Sequence, residues 1–342
     1  MLKKKGFRIT IYSLIVILAI VVGLGTYYLI ATNNMLDSIS LNEQDTLVIP
    51  NRVDVTRDSF NVYVTGIDQW TVEKGMDLER SDINMIATVC PKTRTVLLTS
   101  IPRDAYVPLH RTGTMDKLTH TGIYGVDETL NTVQDWTDID MNYYVKVNFS
   151  ACVHIVDAIG GIDVYSPVAF SSSISKYSYN EGWNHLDGKP ALYFARERKS
   201  FFEEQDQIRV LNQQRVIKAM LKKIMSSKTL LTKYGKLMDV MSEDMETNMP
   251  TEDMKALLKM QMRDLSAWDI KTQRMTGKYD MATVASMSSK NEYQVLKVSK
   301  NAFNKCIQEI DRTMNPSKKE IALATAERGK NSVFAIFKGM FK

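Results

Sequence analysis

Residues 9–31 form a run of 23 residues without a single charge, rich in Ile, Leu and Val. A helix of that length, rising about 1.5 Å per residue, crosses the ~30 Å hydrocarbon core of a bilayer with some tilt. The run therefore divides the chain into a short flank, an apolar span and everything after it. Lys3, Lys4, Lys5 and Arg8 precede it, while Asp37, Glu43 and Asp45 follow. That asymmetry predicts a single-pass membrane protein with a cytoplasmic N-terminus and an extracellular remainder. A cleaved signal peptide is the competing reading, but its apolar stretch is only about 7–15 residues long. The longer run, and Tyr27-Tyr28 where an interfacial aromatic belt forms, favour an uncleaved signal-anchor.

The net charge of +5 tempts one towards a nucleic-acid partner, yet its placement argues otherwise. The first eight residues carry +4 and residues 313–342 another +4, which leaves residues 9–312 at −3. The body is slightly acidic, so no nucleic acid is expected. Cys90, Cys152 and Cys306 are odd in number and far apart, and read as small buried hydrophobes. His110, His120, His154 and His185 show no HExxH or paired spacing, so no zinc site is expected.

The spacing divides the chain into a basic flank (1–8), the anchor (9–31), a polar stalk (32–57), a globular domain (58–312) and a basic, aromatic tail (313–342). Residues 60–66 read as a strand ending in a glycine turn. The apolar runs 85–90 and 95–100, separated by Pro91-Lys92-Thr93-Arg94, read as a hairpin. Residues 126–136 and 151–159 have helical spacing, while 143–149 and 164–170 read as strands. Amphipathic helices are predicted over 205–241 and 251–265, the second capped by Thr251. Strands interleaved with helices predict an α/β domain, a mixed central sheet layered between helices. Most of the 20 methionines fall in the helical second half. They read first as adaptable core filling, and second as a deformable apolar tunnel for a lipid chain.

Chemistry-bearing residues gather at the ends of apolar elements, where α/β folds place their binding groups. Asp68 follows the first strand, Arg80-Ser81-Asp82 precedes the run 85–90, and Arg103-Asp104 follows the run 95–100. A second group comprises Arg196, Glu197, Arg198 and Lys199, followed by Asp206, Arg209 and Gln213-Gln214. In an extended segment Arg196 and Arg198 point the same way. Asp206, Arg209 and Gln213 form one polar stripe at helical spacing. A solvated charged surface would look similar. Against that, arginine forks clamp phosphate oxygens, and paired carboxylates such as Asp68 and Asp82 suit a Mg²⁺ that bridges phosphates. The composition is that of a pyrophosphate site. No Walker loop, GxGxxG or kinase signature accompanies it, which disfavours a nucleotide.

The chain resembles the LytR–CpsA–Psr family of membrane-anchored cell-wall enzymes. The matching stretches are Asn61-Val62-Tyr63-Val64-Thr65-Gly66-Ile67-Asp68, Arg80-Ser81-Asp82 and Ser100-Ile101-Pro102-Arg103-Asp104. They continue through Lys117-Leu118, Tyr143-Tyr144-Val145, Asn148-Phe149, Val156-Asp157-Ala158-Ile159-Gly160-Gly161-Ile162-Asp163-Val164, Leu186-Asp187-Gly188 and Ala191-Leu192 to Arg196, Arg198, Asp206, Arg209 and Gln213-Gln214. Departures from the family pattern fall at Asn212, Gly125-Val126 and Lys117-Leu118-Thr119.

The resemblance implies a phosphotransferase in the envelope of a Gram-positive-type cell. It would move an anionic glycopolymer, teichoic acid or capsule-like, from a polyprenyl-pyrophosphate carrier onto peptidoglycan through a phosphodiester. By the same resemblance Asp68 and Asp82 ligate Mg²⁺, or Mn²⁺ in its place. Arg80, Arg103, Arg196, Arg198, Arg209 and Gln213 hold the pyrophosphate, and Asp104 orients Arg103. Asp82, Arg103 and Asp104 form the catalytic group, Lys117 and Asp206 support it, and the polyprenyl tail lies in the apolar tunnel. Two other functions fit the same residues: a polyprenyl-pyrophosphate phosphatase, and a non-catalytic membrane-bound regulatory or binding module. Residues 331–342, with Phe334, Phe337 and Phe341 on one helical face and Lys330, Lys338 and Lys342 beside them, read either as a frayed end or as an amphipathic segment on the outer leaflet.

Overall fold

The computed structural model describes residues 53–67, 80–201, 205–226, 236, 240, 245–264, 266–287 and 290–331. The expected anchor and most of the stalk lie outside these residues, and among the described residues no helix is long and apolar enough to cross a membrane.

The centre of the domain is a sheet of β1 (Phe60–Ile67), β2 (Ser81–Cys90), β3 (Thr95–Ile101), β4 (Tyr143–Asn148), β5 (Met245–Thr247) and β6 (Asp269–Arg274). Its spatial order is β5-β4-β1-β2-β3-β6. β1 runs parallel to β4, and β3 parallel to β6, while β2 is antiparallel to both β1 and β3. Four strands therefore end at the same edge of the domain. β1 and β3 are buried almost throughout and mostly apolar, as strands covered on both faces are.

Alternate residues of these strands feed two cores. Tyr63, Ile86 and Leu97 face α1 (Val126–Thr137) and α6 (Lys300–Met314), meeting Leu130, Val133, Cys306 and Ile310. Val62, Met85 and Leu98 face the opposite way, towards Ile217 and Leu221 of α4 (Gln205–Ile224) and Met254 and Leu257 of α5 (Thr251–Asp264). A third cluster joins α2 (Phe149–Ile159), α3 (Gly188–Arg196) and the strand pair Ile162–Ser166 and Gly182–Leu186. The expected class, α/β with a mixed sheet between helices, matches this arrangement.

The β2–β3 hairpin turns through Pro91-Lys92-Thr93-Arg94, and Arg94 adopts a left-handed φ of 54°. Few non-glycine residues sit there. Arg94 is held by Gln261, whose Oε1 accepts from Nη1 at 3.0 Å, and by the Trp268 ring 5.1 Å away.

Three local expectations change. The strand expected over 164–170 is two pieces, Ile162–Ser166 and Phe170–Ser171, because Pro167 lacks the N–H a ladder needs. Thr251 is the first helical residue of α5 rather than its cap, and the Pro250 carbonyl accepts from Asp253 and Met254. Beyond residue 313, α6 continues to Met314, and α7 (Lys318–Asn331) follows. A capping box starts α7: Ser317 Oγ accepts from Glu320 N at 3.2 Å, and Glu320 Oε2 from Ser317 N at 2.8 Å. The aromatic end of the tail lies outside the described residues.

Candidate active site

The edge at which β1, β3, β4 and β6 end carries a cleft of about 280 Å³. Asp82, Arg103, Arg196, Arg198, Arg209 and Gln213 line it, joined by Phe149, Ser173, Ile174 and Lys199. Carboxyl ends of parallel strands are the usual ligand edge of α/β sheets.

Antiparallel pairing brings the start of β2 beside the end of β3, so Asp82 meets Arg103 across the hairpin. Arg103 Nη1 donates to Asp82 Oδ1 at 2.8 Å. Arg103 Nε lies 3.7 Å from Asp104 Oδ2, and Lys117 Nζ lies 3.3 Å from Asp104 Oδ1. Asp104 thus lies within ion-pair distance of both Arg103 and Lys117.

Beneath Asp82 lies a buried polar network. Thr65 Oγ1 and Ser81 Oγ are 2.6 Å apart, Ser81 Oγ donates to Asn84 Oδ1 at 2.5 Å, and the Tyr63 hydroxyl donates to the same oxygen. Burial raises the Tyr63 phenol well above its ordinary pKa, despite an opposing hydrogen bond with Ser81, so it stays a donor. The β1–β2 register shifts between Gly66 and Ile67, beside Ser81. Such an irregularity re-aims the adjoining side chains.

The second wall depends on Glu197, which is 0% exposed. Its Oε2 accepts from Ser173 N at 2.6 Å, and its Oε1 from Ser173 Oγ, Arg198 N and Ser200 N at 2.9, 3.0 and 3.0 Å. Burial pushes this carboxyl up, but hydrogen bonds from Ser200 and Ser173 outweigh it and hold the pKa below the ordinary glutamate value. With Glu197 turned inward, its neighbours Arg196 and Arg198 both face the cleft. Arg196 also stacks over Phe149, 4.8 Å from the ring centroid. The helix α3 that delivers Arg196 packs closely on α2: a Cβ on Gly188 would lie 2.3 Å from the Val153 carbonyl oxygen.

Arg209 and Gln213 stand one turn apart on α4 and reach the cleft together. The next residue, Gln214, ties the helix to the sheet, donating to Ser100 Oγ at 2.9 Å and to the Gln273 carbonyl at 2.5 Å. Asn212, a departure from the family pattern, is buried and accepts from Arg215 Nη1 at 2.7 Å.

Of the remaining expected residues, Arg80 is exposed just before β2 and is not among those lining the cleft. Asp68 and the Asp206 side chain lie outside the described residues. Among the described residues no group of three or more His, Cys, Asp or Glu side chains forms a metal cage. Asp82 nevertheless offers a hard oxygen donor in a cleft otherwise rich in cations. That set fits a Mg²⁺ shared between protein carboxylates and phosphate oxygens better than one enclosed by protein alone.

Glu197 and Phe149 stand in the sequence motifs without an assigned role at the site, and Ser173 is an addition to the residues read from the sequence. Lys199 stood in the Arg-Glu-Arg-Lys run, but Ser173 carries no sequence signal, being one serine among several in a loop.

Four arginines and a lysine facing one carboxylate make this a cleft suited to a phosphate-bearing ligand. The model of the LytR_cpsA_psr family matches residues 26–310, and the chain belongs to that family. It is 34% identical over 255 residues to the polyisoprenyl-teichoic acid–peptidoglycan teichoic acid transferase TagU of Bacillus licheniformis, covering 74% of this chain and 81% of that protein. The enzyme of the same name from Bacillus subtilis is 34% identical over 263 residues, with the same coverage. Among solved structures, TagT bound to LIIa-WTA superposes with a TM-score of 0.62 at 26% identity, covering 81% of this chain and 99% of that one.

Proposed function

We propose that this protein is a membrane-anchored, extracytoplasmic phosphotransferase that moves an anionic glycopolymer from a polyprenyl-pyrophosphate carrier onto peptidoglycan. The observation that carries this reading is the convergence of Arg103, Arg196, Arg198 and Arg209 on one cleft beside Asp82. Family membership and the teichoic acid transferase relatives support it.

Phosphoryl transfer asks a protein mainly for positioning and charge neutralisation. In this reading the arginines of the cleft and Gln213 hold the pyrophosphate oxygens, and Arg80, exposed just before β2, would join them. A sugar hydroxyl of peptidoglycan attacks the polymer-bearing phosphorus and gives its proton to a nearby carboxylate. The bond to the bridging oxygen breaks, and polyprenyl phosphate leaves. Arg103, held by Asp82 and Asp104, meets the charge that builds on the leaving oxygens. Mg²⁺ or Mn²⁺ bound through Asp82 and Asp68 would supply further neutralisation of the phosphate oxygens. The polyprenyl tail would lie between the sheet and helices α4 and α5, where Ile217, Leu221, Met254 and Leu257 are only partly buried.

The test is the product distribution of the full chain with a labelled lipid-linked glycan, peptidoglycan oligomers and Mg²⁺. Transfer to peptidoglycan with release of polyprenyl phosphate is the expected result. Hydrolysis alone would make the protein a phosphatase, and binding without product a regulatory module.

A further inference from the structure

The end of the sheet opposite the arginine cleft carries a second cationic feature. A groove of about 520 Å³ runs beside the β2–β3 turn, and its lining includes Arg57, Lys92, Arg94, Lys259, Arg263 and Arg328. Its lining contains no acidic side chain among the described residues. Two of these cations are tied into the fold. Arg94 bonds Gln261, and Arg328 Nη2 donates to the Lys92 carbonyl at 2.8 Å. Arg57, Lys92, Lys259 and Arg263 are exposed at the mouth, with Arg57 sharing its charge with Asp54 at 3.8 Å.

Both ends of the described domain meet at this groove. The chain enters through residues 53–59, immediately before β1. α7 runs past Lys92 and ends at Asn331, just before the aromatic residues Phe334, Phe337 and Phe341. Residues 32–52 separate the apolar run from this entry. Their 21 residues reach at most about 75 Å even fully extended, so the entry end is tethered to any bilayer the run occupies.

We propose that this groove docks on the anionic phospholipid headgroups of the outer leaflet, and so fixes the orientation of the domain; the proposal rests on the extracytoplasmic anchor. Each cation held at an anionic surface favours docking by about 1 kcal/mol. Four exposed cations around one concave surface match a layer of singly charged phosphodiesters. β2 is ten residues long, so the arginine cleft then faces away from the membrane, about 30 Å farther out towards the wall. The acceptor hydroxyl approaches from that side.

The test places the full chain in phosphatidylglycerol or phosphatidylcholine nanodiscs and measures lysine acetylation by mass spectrometry. Lys92 and Lys259 should react at least ~5-fold more slowly in phosphatidylglycerol, the ratio equivalent to one such contact. Lys278, exposed on the strand pair Gly277–Ala282 and Tyr293–Val298 near the cleft, should react equally in both. The pair Lys259→Glu and Arg263→Glu, exposed positions on α5, should abolish the protection of Lys92 while melting is unchanged. Equal reactivity in the two lipids overturns the proposal. So does protection in phosphatidylcholine by soluble poly(glycerol phosphate) but not by phosphatidylglycerol, which would make the groove a polymer site. Failure of the chain to enter either disc would refute the anchor, and the docking with it, whereas transfer of a glycan in solution would still leave the arginine cleft standing.

Discussion

Replacing Glu197 with Gln exchanges a buried carboxylate for a neutral amide of nearly the same shape, inside the turn that separates Arg196 from Arg198. The carboxylate accepts four hydrogen bonds, three at Oε1 and one, from Ser173 N, at Oε2. An amide that keeps its oxygen at the first position turns an NH₂ group towards the Ser173 N–H. That leaves a buried donor without a partner, at a cost of about 1–3 kcal/mol. The three remaining bonds lose their charge assistance, roughly half their strength. A net destabilisation of about 2–4 kcal/mol follows, which lowers Tm by roughly 5–10 °C in a domain of this size.

The pH dependence supplies a second reading of the same substitution. Glu197 has a lowered folded pKa, so its contribution is fully present above the unfolded glutamate value of about 4.3 and is lost as the pH falls through the folded value. Thermal melts of the full chain and of Glu197→Gln should therefore differ most at neutral pH and converge as the pH falls below the unfolded glutamate value. The variant should also raise KM for the lipid pyrophosphate more than it lowers kcat, because the arginines lose their fixed placement. A Tm within about 1 °C of the parent at neutral pH, or a gap that persists unchanged in acid, would refute the reasoning.

Gly188→Ala should destabilise by about 2 kcal/mol or more, because its Cβ would meet the Val153 carbonyl at 2.3 Å and push α3 away from α2; a melt unchanged from the parent would contradict that contact. Asp104→Asn should lower transfer by roughly 10-fold with little loss of Tm, since Arg103 and Lys117 keep a neutral partner in place of a charged one. The three cysteines should resist an aromatic disulfide reagent at pH 8 and react fully in denaturant. Cys90 is buried, and burial raises the Cys152 thiol to about 12 and the Cys306 thiol to about 11.

Much of the sheet is legible in the sequence because β1, β2, β3 and β4 are apolar runs too continuous for a surface loop. β6 is not: Asp-Ile-Lys-Thr-Gln-Arg is polar, it is the edge strand, and among its residues only Ile270 is buried. Only its parallel pairing with β3 makes it a strand. α6 did carry a signal, with Phe303, Cys306, Ile307 and Ile310 at helical spacing.

At the site, the two-residue spacing of Arg196 and Arg198 turns both the same way, whereas the meeting of Asp82 with Arg103 comes from the β2–β3 pairing in the structure. Glu197 was hidden, because an Arg-Glu-Arg-Lys run reads as a solvated surface until the loop bearing Ser173 closes over it. The Tyr63, Thr65, Ser81 and Asn84 network was equally invisible. Its four residues sit two on each of two strands, and none of them stands out as a partner of the others in the strand pattern.

The most direct test of the arginine cleft as the transfer site compares the full chain with Arg103→Ala at saturating Mg²⁺, using a lipid-linked glycan and peptidoglycan oligomers. Removing a donor aimed at developing charge costs roughly 10²–10³-fold in turnover. The expected result is a loss of at least that size with the fold intact by circular dichroism. Transfer within a few-fold of the parent would contradict the assignment.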